Sequence, residues 1–308
     1  MARVWLHIGM MKTGTTAMQE WCTAQAPMLL AAGVLYVHPP RRAASGHLVK
    51  ALSGPAPGKG DAIAALAAQL AETPAADVLI SAESLASRGP GFLRPLVDAL
   101  AGHDLRILIW LRRQDRYAEA LYKQVVKWNG ADLDLTGFLR GLEGQLDYAG
   151  FLDRWQAAFP QARLLPQVYE EPESGAAPDS IAAMLTVIGR PDLIPQDSAD
   201  LRRNRSPHAG LVARYRGIAG TDGAVLRRIN RQIMREMGEA ASGRGDLIPP
   251  DVAAALRDRY AAANAATCAR WFPGRKALFA DPLPAEAAPD PQAALHRLEA
   301  LLAAARNP

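Results

Sequence analysis

The stretch "WLHIGMMKTGTT", Trp5 to Thr16, joins a short apolar run directly to a turn that holds two glycines, one lysine and three threonines. A strand ending near Gly9, a tight turn through Gly14 and a helix beginning near Thr15 would present backbone N–H groups and a positive helix end to an anion. Lys12 would add a point charge, and the threonine hydroxyls would add donors. The stretch therefore predicts an anion-binding loop in preference to a threonine-capped helix with a solvated lysine.

The order of lysine and glycine in this loop argues against the commonest nucleotide-binding loop. The nucleoside triphosphate loop GxxxxGK[ST] places its lysine directly after the second glycine, and a Ser or Thr that holds Mg²⁺ follows. Here Lys12 precedes Gly14 and no lysine follows it. The later apolar run "LRILIWL" (105–111) leads into Arg112 and Arg113, where a nucleoside triphosphatase often has an Asp for the metal. The pattern indicates a site built from cations.

Five short apolar runs rich in Val, Ile and Leu alternate with helical patterns in the first part of the chain. Near-continuous apolarity is typical of strands buried on both faces, and alternation with helices is typical of a parallel sheet. The chain therefore predicts an α/β fold with a central, mostly parallel five-stranded sheet. The predicted strands are 3–8, 34–38, 77–81, 105–111 and 163–169; the predicted helices between them are 15–25 with a second turn to 32, 61–72, 92–101, 115–129 and 148–158.

Beyond about residue 171 the periodicity is helical only. Residues 1–170 are therefore predicted to form the α/β core, and residues 171–308 a mainly helical C-terminal region that packs on the core and contributes a cap. Pro166 inside the last predicted strand predicts an edge position or a bulge, because proline cannot donate to a sheet ladder. The predicted C-terminal helices are 179–188, 207–218, 222–240, 250–272 and 292–305.

Two segments resemble those of sulfotransferases that use 3′-phosphoadenosine 5′-phosphosulfate (PAPS). "HIGMMKTGTTAMQ" (7–19) is similar to their 5′-phosphosulfate-binding loop, and "IWLRRQDRYAEALYKQ" (109–124) to their 3′-phosphate-binding strand and helix. The later segments "ADVLISAESL", "LDYAGFLDRWQAAFP", "VYEEP", "LRRNRS" and "NAATCARWFPGRKALF" resemble, in this order, segments of bacterial members of the family. The resemblance covers most of the chain. It implies a P-loop-like three-layer fold, PAPS as co-substrate, adenosine 3′,5′-bisphosphate as product, and no metal.

The resemblance also implies which residues bind the nucleotide. Lys12 would stabilise the negative charge that grows on the leaving phosphate, and Arg112 would hold the 3′-phosphate. Arg270 and Arg275 in "RWFPGRKALF" are further candidates for contact with the nucleotide. The residues expected to hold the 5′-phosphate, by backbone N–H groups and by the hydroxyls of the last two, are Met11, Lys12, Thr13, Gly14, Thr15 and Thr16.

One position departs from the family pattern. Eight residues after the phosphate-binding arginine the family has a serine whose hydroxyl also contacts the 3′-phosphate, and this chain has Ala120. Arg113, Arg116 and Tyr122 are candidates to replace that donor. For Arg113 a solvated position at the start of the helix is an equal alternative.

The acceptor hydroxyl must lose a proton, so a base is expected near the loop. Glu83 follows the predicted strand 77–81, and the carboxyl ends of such strands line the ligand crevice in open α/β sheets. The alternative for Glu83 is a favourable charge at a helix N-terminus. Members of the family use either a glutamate or a histidine, and His47 in the polar loop 39–60 is the second candidate. His7, inside the first strand, is expected to be buried and hydrogen-bonded rather than catalytic.

Charge and composition bound the partners. The chain of 308 residues has 35 Lys and Arg against 31 Asp and Glu, which mildly favours anionic partners or serves solubility alone. Arg227, Arg231 and Arg235 recur at helical spacing, as a solvated face or as a surface for an acidic acceptor, an anionic membrane or the nucleotide. Few aromatic residues accompany these arginines, so nucleic acid is not an expected partner.

The sequence also bounds the location of the protein. Its two cysteines, Cys22 and Cys268, form no disulfide framework and no CxxC pair. The first residues show no basic segment followed by a long apolar core, and no apolar run reaches the ~20 residues that span a bilayer. A cytoplasmic protein, with peripheral membrane contact as an open alternative, is expected.

Together these features predict a PAPS-dependent sulfotransferase. It would move a sulfuryl group to a hydroxyl or amine of a small-molecule, carbohydrate or lipid-headgroup acceptor. Two other classes stay open at this point: a Mg-dependent P-loop kinase, in which Glu83 or another carboxylate would hold the metal, and a noncatalytic nucleotide-binding module.

Overall fold

A five-stranded sheet forms the centre of the protein, seen in a computed structural model. The structure describes residues 1–39, 44–53, 59–129, 134–169, 179–196, 207–216, 223–241, 247–280 and 292–306. The strands are β1 (Arg3–His7), β2 (Val34–Val37), β3 (Asp77–Ser81), β4 (Asp104–Arg112) and β5 (Arg163–Tyr169). Their order is β2-β3-β1-β4-β5, and each adjacent pair is parallel. The predicted five-stranded α/β sheet is confirmed.

Helices follow the strands on both faces of the sheet. Those in the first part of the chain are α1 (Thr15–Ala24), α2 (Ala26–Ala31), α3 (Gly46–Leu52), α4 (Lys59–Glu72), a 3-10 helix (Glu83–Arg88), α5 (Pro90–Ala99), α6 (Gln114–Asn129), α7 (Leu135–Leu146) and α8 (Tyr148–Ala158). The elements after β5 are α9 (Ser180–Val187), a 3-10 helix (Pro191–Leu193), α10 (Ala209–Arg216), α11 (Gly223–Met237), a 3-10 helix (Gly238–Ala241), α12 (Pro250–Trp271) and α13 (Gln292–Arg306).

Alternation of side chains along β1 separates two layers of helices. Val4 and Leu6 belong to a core that also includes buried residues of helices α3 to α8 and of α12. Trp5 points to the opposite face, where Met18 of α1 and Met184 of α9 share a second core with it. Because successive side chains of a strand point to opposite faces, the sheet is covered on both sides and forms the middle of three layers.

The C-terminal helices share cores with the first part of the chain. Helix α9 packs on α1, and α12 packs on α6 and α8. A third core joins Tyr122 and Val126 of α6 to buried residues of α10, α11 and α13. Helix α6 therefore lies between the first core and helices α10, α11 and α13.

The register of the sheet brings four strand ends to one edge. His7 at the end of β1 pairs with Ser81 of β3 and with Leu108 of β4, and Arg112 of β4 pairs with Tyr169 of β5. In an open parallel sheet, the crevice outside these carboxyl ends is where ligands bind. The loop after β1, the segment after β3 and the end of β4 therefore meet there.

Four helical segments among the described residues were not predicted from the sequence: α3, α7 and the 3-10 helices Glu83–Arg88 and Pro191–Leu193. Helix α3 has 7 residues, which is too short for a clear helical period. Helix α7 carries three glycines, which disfavour a helix, but Asp134 caps it by accepting from the backbone N–H groups of Thr136 and Gly137. Pro166 lies on β5, an edge strand, as predicted.

Some sequence features fall outside the described residues. They are the segments 170–178 and 201–206 and parts of the polar loop 39–60. None of the helices in the described ranges combines the length and the apolar character needed to cross a membrane.

Candidate functional site

The loop between β1 and α1 is held in a tight conformation by three residues with positive φ. They are Gly9 (φ 76°), Lys12 (φ 69°) and Gly14 (φ 72°), and Gly14 is the N-cap residue of α1. A Cβ atom on Gly9 would lie 2.6 Å from the Cα of Glu83, so only glycine fits there. The backbone of Lys12 adopts a left-handed conformation that residues other than glycine rarely adopt. Such conformations are a feature of ligand-binding loops.

The three threonines of the loop have different environments. Thr13 is buried, and its hydroxyl donates to the carbonyl oxygen of Met10 at 2.7 Å, so this hydroxyl braces the loop. The Thr13 hydroxyl is therefore not available to donate to an anion, although the sequence suggested this role. The backbone N–H of Thr13 is the group left for that role. Thr15 is also buried, and its hydroxyl oxygen has no hydrogen-bond partner among the described residues. Thr16 is exposed. A buried hydroxyl without a partner costs free energy, so Thr15 is suited to a bound ligand.

Arg112 joins the end of β4 to the loop. Its Nη1 donates to the carbonyl oxygen of Lys12 at 2.7 Å, and its guanidinium carbon lies 5.3 Å from the ring centroid of Tyr169. The hydroxyl of the buried Tyr148 donates to the backbone oxygen of Arg112. These contacts fix a cation beside the loop, and the binding of the 3′-phosphate by Arg112 stays a prediction.

Lys12 and Glu83 are half-buried groups of opposite charge at the same edge of the sheet, and each affects the pKa of the other. Burial lowers the pKa of Lys12 to about 8, and the positive charges of Lys127 and Arg112 lower this pKa further, whereas Glu83 raises it. Burial raises the pKa of Glu83 to about 7, against the opposing effect of Lys12. Both groups therefore titrate near neutral pH, which suits proton transfer.

Three residues near the loop were missed by the sequence reasoning. Lys127 at the C-terminal end of α6 acts on Lys12 through its charge. Ser180 at the start of α9 donates from its hydroxyl to the carbonyl oxygen of Gly14 at 2.9 Å. Tyr169 of β5 packs against Gly14, where its hydroxyl oxygen would lie 3.4 Å from an added Cβ. The available signal was the spacing of Lys127, seven residues after Ala120, which puts both on one helix face.

The two histidine candidates lie in different places. His47 is in the first turn of α3, burial lowers its pKa, and the charge of His38 lowers it further. Its electrostatic neighbour is thus His38, whereas that of Glu83 is Lys12. His7 is buried, its Nδ1 lies 2.8 Å from Oγ of Ser81, and burial lowers its pKa to about 3. His7 is the buried, hydrogen-bonded residue that the sequence predicted.

Arg113 is adjacent to Arg112 in sequence but has a different environment. It is buried, its Nε and Nη2 donate to the two carboxylate oxygens of Asp115 at 2.8 Å each, and its Nη1 donates to the carbonyl oxygen of Ala280 at 3.1 Å. Arg257 of α12 also contacts Asp115, at 3.2 Å. The solvated alternative from the sequence is therefore wrong, because the side chain is buried, and a phosphate contact of Arg113 stays a prediction. These bonds attach α12 and the segment near Ala280 to the start of α6.

Arg270 and Arg275 lie on the surface near the end of α12. Arg270 pairs with Asp153 of α8, and both side chains are more than half exposed, at 54% and 58%. Arg275 donates to the carbonyl oxygens of Ala277 and Leu278 at 3.3 Å each. The described contacts of both arginines are therefore with α8 and with their own segment.

The position of the absent family serine is on α6. Ala120 is half-buried on this helix, one turn after Arg116. Tyr122 is fully buried in the third core, where its ring packs 5.2 Å from that of Phe138. Of the proposed replacements for the serine hydroxyl, Arg116 therefore shares the face of Ala120, whereas Tyr122 and Arg113 are held in other contacts.

Comparison of the chain with protein-family models, with curated proteins and with solved structures finds no significant match in any of the three. In the described part of the chain, no group of three or more His, Cys, Asp and Glu side chains is arranged to hold a metal ion. The function proposed below rests on the geometry of the loop and its neighbours.

Proposed function

We propose that the protein is a sulfotransferase that moves a sulfuryl group from PAPS to an acceptor hydroxyl or amine. The observation that carries this proposal is that Glu83 and Arg112 both contact the loop of Lys12 at the carboxyl edge of a parallel sheet: Glu83 packs against Gly9, and Arg112 donates to the carbonyl oxygen of Lys12. Lys12 would stabilise the leaving group, Glu83 would take a proton, and Arg112 would bind a further phosphate.

The loop would bind the 5′-phosphosulfate. Backbone N–H groups of residues 11–16 surround a turn that ends at the N-terminus of α1, where the helix dipole favours an anion. The buried hydroxyl of Thr15 supplies a donor that has no partner among the described residues. Arg112, held against the Lys12 carbonyl and the Tyr169 ring, would bind the 3′-phosphate with a charged hydrogen bond.

The same residues fit the chemistry of sulfuryl transfer. The acceptor oxygen forms a bond to sulfur while the bond between sulfur and the bridging oxygen of the 5′-phosphate breaks. Adenosine 3′,5′-bisphosphate leaves with the bond electrons, and Lys12 stabilises the charge that grows on its phosphate. Glu83 takes the acceptor proton, and its pKa of about 7 makes it an effective base at neutral pH.

Two features favour sulfuryl transfer over phosphoryl transfer from a Mg-bound nucleoside triphosphate. Lys12 precedes Gly14 instead of following it, and the end of β4 carries Arg112, which bonds to the loop. In the kinase, a Ser or Thr after the lysine and a carboxylate at the strand end would hold the metal that bridges the phosphates. The site instead has fixed cations there.

Calorimetric titration with adenosine 3′,5′-bisphosphate, AMP and ADP tests the nucleotide assignment. We expect the 3′,5′-bisphosphate to bind more tightly than AMP by about 1.5 to 3 kcal/mol, the contribution of one charged hydrogen bond. Equal affinities for AMP and the bisphosphate would contradict the proposal.

Transfer from radiolabelled PAPS, with an extract of the native host as the source of acceptors, tests the activity. We expect label transfer that survives EDTA, whereas a kinase would lose activity when Mg²⁺ is removed. Tight binding of the bisphosphate without any transfer would favour the noncatalytic nucleotide-binding module.

Cytoplasmic location and peripheral membrane contact stay predictions.

A further inference from the structure

Three carbonyl groups of the loop between β1 and α1 each accept a hydrogen bond from a side chain. The three pairs of donor and acceptor are Thr13 to Met10 at 2.7 Å, Arg112 to Lys12 at 2.7 Å and Ser180 to Gly14 at 2.9 Å. We call these three contacts the loop hydrogen bonds. Their acceptors are every second residue of the loop, so they fix every second peptide unit.

A held carbonyl group also fixes the direction of the N–H group in the same peptide unit. The peptide bond is planar and trans, so its C=O and its N–H point in opposite directions. The bond from Ser180 to the Gly14 carbonyl therefore directs the N–H of Thr15 away from α9. The other two loop hydrogen bonds direct the N–H groups of Met11 and Thr13 in the same way. Alternate N–H groups of the loop are thus oriented before an anion binds.

The donors of the loop hydrogen bonds come from different parts of the chain. Thr13 belongs to the loop itself, and Arg112 has a proposed contact of its own with the nucleotide. Ser180 comes from the C-terminal region, 166 positions after Gly14, and is buried. A glycine peptide can adopt more orientations than that of any other residue, so Gly14 depends on such a bond to keep one. Because the hydroxyl of Ser180 and the N–H of Thr15 lie on opposite sides of one peptide, Ser180 acts through that peptide.

Helix α9 holds Ser180 in a defined place relative to α1. Asp179, the N-cap residue of α9, accepts from two backbone N–H groups of the first turn at 3.0 and 2.9 Å. Ile181 of the same turn is buried in the second core together with Met18 of α1. In α1 the N-cap residue is Gly14, which has no side chain to cap the helix. Its side chain therefore does not compete with a ligand for the first N–H groups of α1.

We propose that Ser180 is a positioning residue for the 5′-phosphate. Its hydroxyl holds the Gly14 carbonyl so that the N–H of Thr15 keeps the direction in which it donates to the anion. This inference rests on the proposed function for the identity of the anion, and it adds a residue of the C-terminal region to the support of the loop. Removal of the hydroxyl should weaken ligands that carry a 5′-phosphate and spare those that lack it.

Calorimetry with AMP and with adenosine 3′-monophosphate tests this role, because each ligand carries only one of the two phosphates. In the full chain, Ser180→Ala should bind AMP about three- to tenfold more weakly than the wild-type protein, the range for one neutral hydrogen bond. Its affinity for adenosine 3′-monophosphate should stay near the wild-type value. Ser180→Thr keeps the hydroxyl and should keep the affinity for AMP.

Ser53→Ala is the matched control. It also removes a serine hydroxyl that donates to a backbone carbonyl, that of Val49 at 2.8 Å, but at the end of α3. Both affinities should be unchanged. If Ser180→Ala does not fold, Ser180→Cys takes its place, because the thiol has a similar size and is a weak donor.

The amide proton resonance of Thr15 gives a second measurement, with inorganic pyrophosphate as the probe. In the wild-type protein this resonance should move downfield when pyrophosphate is added, because the N–H donates to the anion. Ser180→Ala or Ser180→Cys should reduce the shift at saturating pyrophosphate by at least about half. A loss of stability alone would not produce this change in a protein that is still folded.

The inference is overturned if Ser180→Ala weakens AMP by less than threefold, or weakens both monophosphates equally. It is also overturned if Ser180→Thr or Ser53→Ala gives the same loss as Ser180→Ala, or if the Thr15 resonance does not respond to pyrophosphate. Failure of the proposed function gives a different result. The wild-type protein would then bind neither AMP nor the 3′,5′-bisphosphate, while the Thr15 resonance would still respond to pyrophosphate in a way that depends on Ser180.

Discussion

The cations at the carboxyl edge of the sheet and the arginines of the C-terminal helices differ in what neutralises them. Arg297 of α13 lies 2.6 Å from Glu236, and Arg257 lies 3.2 Å from Asp115. At the sheet edge, Lys12 faces the charges of Arg112 and Lys127, with Glu83 as its described acidic neighbour. Both regions are basic in sequence. Pairing and burial, rather than the number of basic residues, distinguish a structural charge from one available to a ligand.

The largest expected effect comes from removing Lys12. Lys12→Ala should lower kcat for sulfuryl transfer by about 10²- to 10³-fold, because a preorganised group that stabilises the developing charge contributes on this scale. The rate is measured with radiolabelled PAPS. Lys50→Ala, at an exposed lysine of α3, is the matched control and should keep full activity. Equal loss in both variants would show that Lys12 has no special role.

The next effect concerns Glu83. Glu83→Gln should lower kcat by about 10²-fold, the lower range for a general base, while the affinity for adenosine 3′,5′-bisphosphate changes little. Gln keeps the size of the side chain beside Gly9, so the loop should keep its shape. Full activity in Glu83→Gln would move the base elsewhere, with His47→Asn as the next variant to measure.

The pH dependence of kcat/KM tests the two charged groups at the sheet edge, Glu83 and Lys12, together. The base must be deprotonated, so kcat/KM should rise as pH increases through about 7, the pKa of Glu83. The lysine must be protonated, so kcat/KM should fall above about 8, the pKa of Lys12. The profile should be a narrow bell for these coupled groups, and Glu83→Gln should lose its acidic limb. A profile that is flat between pH 6 and 9 would contradict both assignments.

The sequence predicts the scaffold of this site better than its electrostatics. All five strands follow from apolar runs, and the loop and Arg112 follow from local motifs, because each depends on residues that are close in sequence. Burial raises the pKa of Glu83, and the charge of Lys12, 71 positions earlier in the chain, opposes that rise; no local pattern encodes either effect. Ser180 reaches Gly14 across 166 positions for the same reason.

Adjacent arginines give the clearest example of this limit. "RR" at 112–113 offers two adjacent cations, and the structure divides them between the loop and Asp115. Arg112 is the last residue of β4 and Arg113 lies between this strand and α6, so the two neighbours in sequence have different partners in space. The sequence could not reveal which of the two meets a carboxylate, because Asp115 follows both within three residues.

Arg112→Ala should weaken adenosine 3′,5′-bisphosphate by about 1.5 to 3 kcal/mol and leave AMP almost unchanged, because it removes one charged hydrogen bond to the 3′-phosphate. Calorimetry measures both affinities. Arg113→Ala is the control: it breaks the buried pair with Asp115, so it should lower the melting temperature. Below that temperature its affinity for the bisphosphate should stay near the wild-type value. The reverse pattern would exchange the roles of the two arginines.

The smallest effect is expected at Arg270. The family resemblance implies that this arginine binds the nucleotide, whereas its observed partner is Asp153. A nucleotide-binding arginine would weaken the bisphosphate by more than about 1.5 kcal/mol when removed. Arg270 instead pairs with Asp153 with both side chains more than half exposed. Such exposed pairs contribute about 0 to 1 kcal/mol to stability, because water screens the charges and ordering two long side chains costs entropy. Arg270→Ala should therefore change bisphosphate affinity by less than twofold, measured by the same calorimetry as Arg112→Ala. A tenfold loss of bisphosphate affinity would mean that the end of α12 moves onto the nucleotide when the nucleotide binds. An arginine that is paired with a carboxylate in the free protein could then still belong to the site.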